Sequence, residues 1–177
     1  MFKLYHKERT IFSFEDYAAL MKLVEEIGAK RVLEFGPGIS TLALIEAGVE
    51  VIDSYEYDST FLASAQERFQ AYPQVTVRRF YNASLCVVLD PPPDARRYAL
   101  AFVDSPIGEG PRRRLLPGQE ELSRYNTVMY ALSKAPVVAL HDAKRDGEQN
   151  TLARLAAEGF THEMIDTRKG IAVLYRA

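Results

Sequence analysis

Cysteine is almost missing from this sequence: Cys86 stands alone among 177 residues. No intramolecular disulfide can form, and a reducing, cytoplasmic setting fits. Cys86 lies in the apolar run Leu85 to Leu89 with no His or Asn beside it, so it reads as a small core residue and not as a nucleophile. Excess charge of one sign is missing too. A formal net charge of -2 leaves no basic surplus to neutralise phosphates, so nucleic acid is not expected as a substrate. The short basic run Arg112, Arg113, Arg114 reads as a solvated loop, with a clamp for a substrate carboxylate or phosphate as the alternative. No stretch approaches the roughly 18 apolar residues of a membrane span. The opening MFKLYHKERT has no apolar signal core, so no secretory leader is expected. Repeats and low-complexity tracts are absent. What is present suits one domain over residues 1–177, with 47% hydrophobic and 26% charged residues.

Punctuation by caps and glycines divides the chain. Ser13 and Asp16 read as a helix start, followed by Tyr17, Leu20, Met21, Val24 and Ile27 at helical spacing and closed by Gly28. A strand over 31–35 runs into Gly36-Pro37-Gly38. Then come a helix over 40–47, a strand over 49–57, a helix over 60–72 and a strand over 75–81. The stretch 84–97 starts apolar and breaks at three prolines; its 85–89 run is too short to assign to strand or helix. A buried strand at 98–104, a long Gly/Pro-containing loop at 105–118 and a helix at 120–134 follow. A strand at 136–142 and a helix at 146–159 lead to two closing strands, 160–166 and 171–177, whose short join predicts a hairpin. Alternation of strand and helix predicts an α/β, Rossmann-like, doubly wound sheet, mostly parallel and seven-stranded. The C-terminal antiparallel β-hairpin is expected to leave one antiparallel strand at an edge.

The chemistry gathers at V32-L-E-F-G-P-G-I-S-T41. Glycines there allow a tight turn and let a ligand approach bare backbone, and the helix behind the turn offers free amides. Glu56 ends the second strand, about 20 residues past Gly36, where an acid accepts from ribose hydroxyls in nucleotide-binding folds. Glu34 is the discriminating acid. An anion two residues before the turn repels a pyrophosphate and suits a ligand carrying an ammonium and a sulfonium. The third glycine of the dinucleotide fingerprint is also absent.

E34-F-G-P-G-I-S-T followed by Y55-E-Y-D58 resembles the class I S-adenosylmethionine-dependent methyltransferases, in the small-molecule branch whose turn reads Glu-x-Gly-x-Gly-x-Ser-Thr. The resemblance implies that Glu34, Phe35, Gly36, Pro37, Gly38, Ser40 and Thr41 hold the amino-acid end of the cofactor. It also implies that Glu56 takes the ribose, that Tyr57 lies beside the adenine, and that Asn82-Ala83 reaches the adenine amino group; Asn82 as a plain turn residue is the alternative. In that fold the last strand inserts antiparallel between its neighbours.

Two strand ends near the turn carry acids, F102-V-D104 and L140-H-D142. V103-D-S-P106 resembles the Asp-Gly-Pro of several small-molecule methyltransferases, with Ser105 in place of glycine. H141-D-A-K-R145 resembles a strand-end turn of related proteins. Three uses stay open. Asp104 and Asp142 could bind Mg²⁺ as hard oxygen ligands, His141 or Asp104 could act as general base, or Asp104, His141 and Asp142 could position the acceptor while proximity does the work. A structural turn at His141-Asp142 is the plain alternative. Lys144 and Arg145, like the basic run, could meet a substrate anion or solvent.

The expected activity is methyl transfer from S-adenosylmethionine to a small molecule, by O- or N-methylation. The expected partners are that acceptor, which could be anionic, and a second copy of the chain in a homodimer; neither nucleic acid nor membrane is expected. A non-catalytic adenosylmethionine- or nucleotide-binding module is the alternative, and an NAD-dependent oxidoreductase is disfavoured by Glu34. Glu56→Ala is expected to weaken adenosylmethionine binding by about 1–3 kcal/mol, since polar groups lose their partner; unchanged affinity in titration calorimetry removes the ribose role.

Overall fold

A computed structural model describes residues 4, 13–83, 86–90, 98–105 and 124–175, with the side chains of residues 82, 83, 86 and 90 outside the description. The elements are α1 (Phe14–Ile27), β1 (Arg31–Phe35), α2 (Ile39–Glu46), β2 (Val51–Glu56), α3 (Ser59–Phe69), β3 (Val75–Ala83), β4 (Cys86–Asp90), β5 (Leu100–Val103), α4 (Tyr125–Lys134), β6 (Val137–His141), α5 (Asp146–Ala157), β7 (Thr161–Ile165) and β8 (Ile171–Tyr175). The three-proline segment, the loop with Arg112 to Arg114 and the first residues of the helix expected from residue 120 lie outside the described residues, as does the side chain of Cys86.

Local rules place the first helix. Ser13 Oγ accepts from the Asp16 amide while Asp16 Oδ2 accepts from the Ser13 amide at 3.1 Å, a reciprocal cap that satisfies two of the free amides of the first turn. Gly28 closes the helix in the left-handed region.

The strands form one sheet of eight in the order β4-β3-β2-β1-β5-β6-β8-β7. β3, β2, β1, β5 and β6 run parallel. This corrects the seven-stranded expectation: the unassigned run after residue 84 is a strand that pairs antiparallel with β3. Its signal is period-two burial, with Val87 and Leu89 buried and Val88 exposed. The antiparallel strand of the closing hairpin is not at the edge either. β8 inserts between β6 and β7, antiparallel to both, as the family resemblance implied. Composition supplies the reason. Ile171, Ala172, Val173 and Leu174 are all buried, whereas β7 is exposed along most of its length, so the apolar strand takes the covered position.

Period-two alternation divides the core between two faces. Val32, Ile52, Leu100, Phe102 and Ala139 pack under α1, α2 and α3 with Tyr17, Leu20, Leu44 and Phe69. Leu33, Phe35, Tyr55, Val103, Val138 and Leu140 pack under α4 and α5 with Val128, Leu132, Leu152 and Leu155. The central strands β1, β5 and β6 are covered on both sides and read as nearly continuous apolar runs. β2 carries Asp53, buried and answered by Arg31 at 2.8 Å, Arg78 at 3.3 Å and the Tyr98 hydroxyl at 2.9 Å; a buried carboxylate without such partners is strongly destabilising.

Phe35 belongs to the second face. Its ring has no exposure and lies 5.3 Å edge-on from Phe80 and 6.1 Å from Tyr130, centroid to centroid. Its side chain is therefore core, although it was expected among the cofactor contacts. Phe35→Ala is expected to destabilise the fold by about 3–5 kcal/mol through lost transfer energy and the cavity left behind, read as a lower urea midpoint at an unchanged slope.

Candidate functional site

Strand order reverses at β1, which has β2 on one side and β5 on the other. A crevice opens at such a switch, at the carboxyl ends of the strands. There the chain brings together the turn after β1, Glu56 at the end of β2, Asp104 just past β5, and His141 and Asp142 at the end of β6.

The turn is set by close approach. Gly36 has a φ of +93°, and a Cβ at this position would lie 3.0 Å from Ser105 Cβ and 3.1 Å from the Asp104 carbonyl carbon. Only glycine fits both the dihedral and the space. The Gly36 amide donates to the Tyr55 carbonyl at 2.9 Å, and the Asp104 amide donates to the Phe35 carbonyl at 2.8 Å. Backbone bonds thus stitch the ends of β1, β2 and β5 together around residue 36.

Glu34 lies on the α2 side of β1 and is completely buried. Ser40 Oγ donates to its Oε1 at 2.7 Å, Thr41 Oγ1 donates to its Oε2 at 2.8 Å, and the Ser54 hydroxyl donates to the same Oε2. Thr41 Oγ1 in turn accepts from the Gly38 amide at 2.9 Å. Burial pushes the Glu34 carboxyl up to about 7, against the three hydroxyls that favour its charged form, and the nearby Asp104 charge adds to the rise. Glu34 was expected to stand as a bare anion beside a cationic ligand. In the structure it sits beneath the turn and is clamped by the first residues of α2.

Glu56 is also nearly buried. Its Oε1 accepts from the Tyr57 amide at 2.6 Å, the Asp58 amide at 2.9 Å and Ser105 Oγ at 3.4 Å. Burial holds its pKa above the usual range despite those bonds. Tyr57 is 46% exposed beside it, its ring 5.9 Å from that of Phe80. Ser105, which departs from the glycine of the family pattern, packs against Gly36 and binds Glu56. Asn82 and Ala83 end β3 in register with Val87 and Cys86; the role expected for the Asn82 side chain lies outside the described residues.

The second half of the site is an ion cluster. His141 Nδ1 lies 2.9 Å from Asp104 Oδ1, and its Nε2 lies 3.5 Å from Asp16 Oδ2. Burial alone would lower the imidazole pKa, but the bond to Asp104, the bond to Asp16 and the charge of Asp142 raise it to about 9. For Asp104 burial acts upward and is outweighed by His141 and Arg124, so its carboxyl is held below the usual range. The Asp104 side chain keeps 25% of its surface exposed. Asp142 has a φ of +57° and receives Arg145 at 2.9 Å, Arg124 at 3.4 Å and Lys169 at 3.5 Å. Asp104, His141 and Asp142 each offer a ligand atom within 4.8 Å of the others.

Sequence reasoning missed Arg124, whose side chain is 2% exposed. Its Nη1 donates to the His141 carbonyl at 2.9 Å and lies 3.3 Å from Asp104, while its Nε lies 3.5 Å from Glu148 on α5. Nothing in the sequence around residue 124 marks it, because the described partners of its side chain, Asp104, His141, Asp142 and Glu148, are at least 17 residues away. Asp16 was legible as a cap but not as the second carboxylate on His141. Among the remaining candidates, Lys144 binds Asp166 at 2.6 Å, and His162 is exposed.

No family model matches this sequence, and neither does any curated protein. Solved structures do. The chain is similar to an O-methyltransferase from Bacillus cereus in complex with SAH, with 16% identity and a TM-score of 0.70 over 96% of this chain and 84% of that one. It is similar to an O-methyltransferase from Streptomyces achromogenes involved in tomaymycin synthesis, in complex with SAM, with 18% identity and a TM-score of 0.65 over 92% and 80% of the two chains. It is also similar to a precorrin-6y C5,15-methyltransferase from Geobacter metallireducens, with 13% identity and a TM-score of 0.64 over 97% and 93%. What the chain shares with them at these identities is the Rossmann-like fold.

The charge of His141 has a signature in stability. Its folded pKa of about 9 exceeds its ordinary 6.5, so its contribution is complete below pH 6.5 and lost as pH rises through 9. Glu34, raised from 4.5 to about 7, loses its contribution in the lower window between those values. Urea unfolding is expected to show a fall on the order of 3 kcal/mol between neutral and strongly alkaline pH, and His141→Gln is expected to flatten it. An unchanged alkaline slope in the variant assigns the effect to other groups.

Proposed function

We propose that the chain is an S-adenosylmethionine-dependent methyltransferase acting on a small molecule. The observation that carries this reading is the pair of carboxylates, Asp104 and Glu56, flanking a bare glycine turn at the switch point of a fold shared with proteins crystallised with SAM or SAH. The donor set fits the cofactor. Asp104 is ionised, partly exposed and adjacent to the Gly36 backbone, so it is the natural counter-ion for an ammonium. Glu56 offers a carboxylate for ribose hydroxyls, and Tyr57 an exposed aromatic face for a base. A pyrophosphate would meet Asp104 instead, which disfavours a dinucleotide.

Glu34 acts one step back from the ligand in this reading. Its oxygens are engaged by three hydroxyls, so it braces the turn, and contact with the cationic end falls to Asp104. When bound, adenosylmethionine supplies a methyl on a sulfonium, already a strong electrophile. His141 is charged at neutral pH and has no lone pair to take a proton, which removes it as general base. Asp104, with its lowered pKa, is a weak one. What the residues supply is orientation: His141 and Arg124 fix the Asp104 carboxylate, and the Gly36–Ser105 contact fixes the backbone beside it. Holding donor and acceptor in line is worth several orders of magnitude in rate. The half-exposed Arg145 and Lys169 at the rim suit an acceptor that carries negative charge.

The test is calorimetry with adenosylhomocysteine and NAD, followed by transfer of labelled methyl from adenosylmethionine to a panel of small hydroxyl, amine and carboxylate compounds. Adenosylhomocysteine is expected to bind and NAD not to; the reverse overturns the proposal, and binding without any transfer supports the non-catalytic module. Asp104→Asn is expected to weaken adenosylhomocysteine binding by about 1–3 kcal/mol, roughly 5- to 150-fold in affinity, and to lower the melting temperature as well, because buried His141 and Arg124 lose a charged partner.

A further inference from the structure

Two carboxylates and an imidazole within 4.8 Å of one another have the composition of a divalent-metal site. Their partners argue otherwise. Asp104 Oδ1 faces Arg124 Nη1 at 3.3 Å. Asp142 Oδ2 faces Arg145 Nη1 at 2.9 Å and Arg124 Nη2 at 3.4 Å, and its Oδ1 faces Lys169 Nζ at 3.5 Å. Glu148, the third carboxylate of the group, faces Arg124 Nε at 3.5 Å. Arg124, Arg145 and Lys169 therefore answer Asp104, Asp142 and Glu148, so each of these carboxylates already faces a cation.

The cations differ in how firmly they are held. Arg145 and Lys169 have side chains 40% and 30% exposed and can swing into solvent. Arg124 is 2% exposed and tied to the His141 carbonyl at 2.9 Å. It also stands in the left-handed region with a φ of +59°, and among the described residues its partner Asp142 is the other non-glycine residue with positive φ. Two unfavourable backbone conformations at one contact persist only where the surrounding bonds over-determine them. An arginine cannot shed its proton to make room. A divalent ion between Asp104 and Asp142 would lie against this buried guanidinium with like charge. Mg²⁺ also requires near-octahedral oxygen ligands, and here one of the three donors is a nitrogen already directed at Asp104.

We propose that Arg124 is the resident cation of this cluster: its guanidinium joins the ends of β5 and β6 to the first turn of α5 and closes the Asp104–His141–Asp142 group to divalent metals. Cofactor binding and stability are then independent of Mg²⁺. The proposal concerns the protein alone and stands whether or not the methyltransferase reading does.

Titration calorimetry of the EDTA-dialysed chain with Mg²⁺ alone and with Mn²⁺ alone tests it, alongside melting temperatures in EDTA and in millimolar Mg²⁺. Neither stoichiometric binding nor a shift in melting temperature is expected. One Mn²⁺ per chain at micromolar affinity, abolished by Asp142→Asn, overturns the proposal. The double variant Arg145→Gln, Lys169→Gln leaves Arg124 in place and is expected to remain metal-free; tight Mn²⁺ binding by it would move the exclusion to the rim and overturn the role of Arg124. Arg124→Met, if folded, is expected to gain Mn²⁺ affinity at least tenfold.

Discussion

A guanidinium cut off from water must find its counter-charges inside the protein, and the whole carboxyl-end architecture of this chain is arranged around one that does. Arg124 reaches Asp104 beyond β5, the carbonyl of His141 at the end of β6, Asp142 in the turn that follows, and Glu148 on α5. Hydrophobic packing holds the strands side by side, but it is non-directional and does not determine where the polar ends point. Charge-assisted hydrogen bonds do. They fix the Asp104 carboxylate beside the glycine turn and hold Asp142 in a conformation that a non-glycine residue avoids.

Around the turn itself the logic is different. Glu34 is buried among hydroxyls, and hydroxyls can donate without bringing a charge of their own. The result is a carboxyl whose proton affinity lies near neutrality, caught between burial and three hydrogen bonds. Such a group braces the start of α2 more than it projects a field into the crevice. In the proposed reading the electrostatic attraction first sought at Glu34 falls one strand over, to Asp104, whose cationic neighbours hold its pKa down and whose side chain reaches solvent in part.

His141 joins the two ends of the molecule. Asp16 caps α1, accepts from Thr167 and faces His141, which in turn faces Asp104. An imidazole between two carboxylates is a cation and a strut. Its raised pKa is in part a consequence of where α1 docks, which sets Asp16 against its second ring nitrogen.

Much of this was legible in one dimension. The Ser13–Asp16 cap, the β1–turn–α2 unit, the acid Glu56 at the end of β2 and the acids at two further strand ends all follow from local spacing, because caps, turns and strand periodicity are short-range. The eighth strand was hidden because a five-residue apolar run has no period long enough to name it. Order within the closing hairpin was open to alternation alone and was decided by which strand had more apolar surface to cover. What the sequence by itself determined is therefore the alternating α/β pattern, the glycine turn and the residue types at the strand ends. Only the tertiary structure decided that Phe35 faces the core, that Glu34 is clamped beneath the turn, and that Arg124, unremarkable in its own segment, faces three distant carboxylates. Charge pairing in a buried site depends on distances between elements far apart in the chain, and no local pattern encodes those distances.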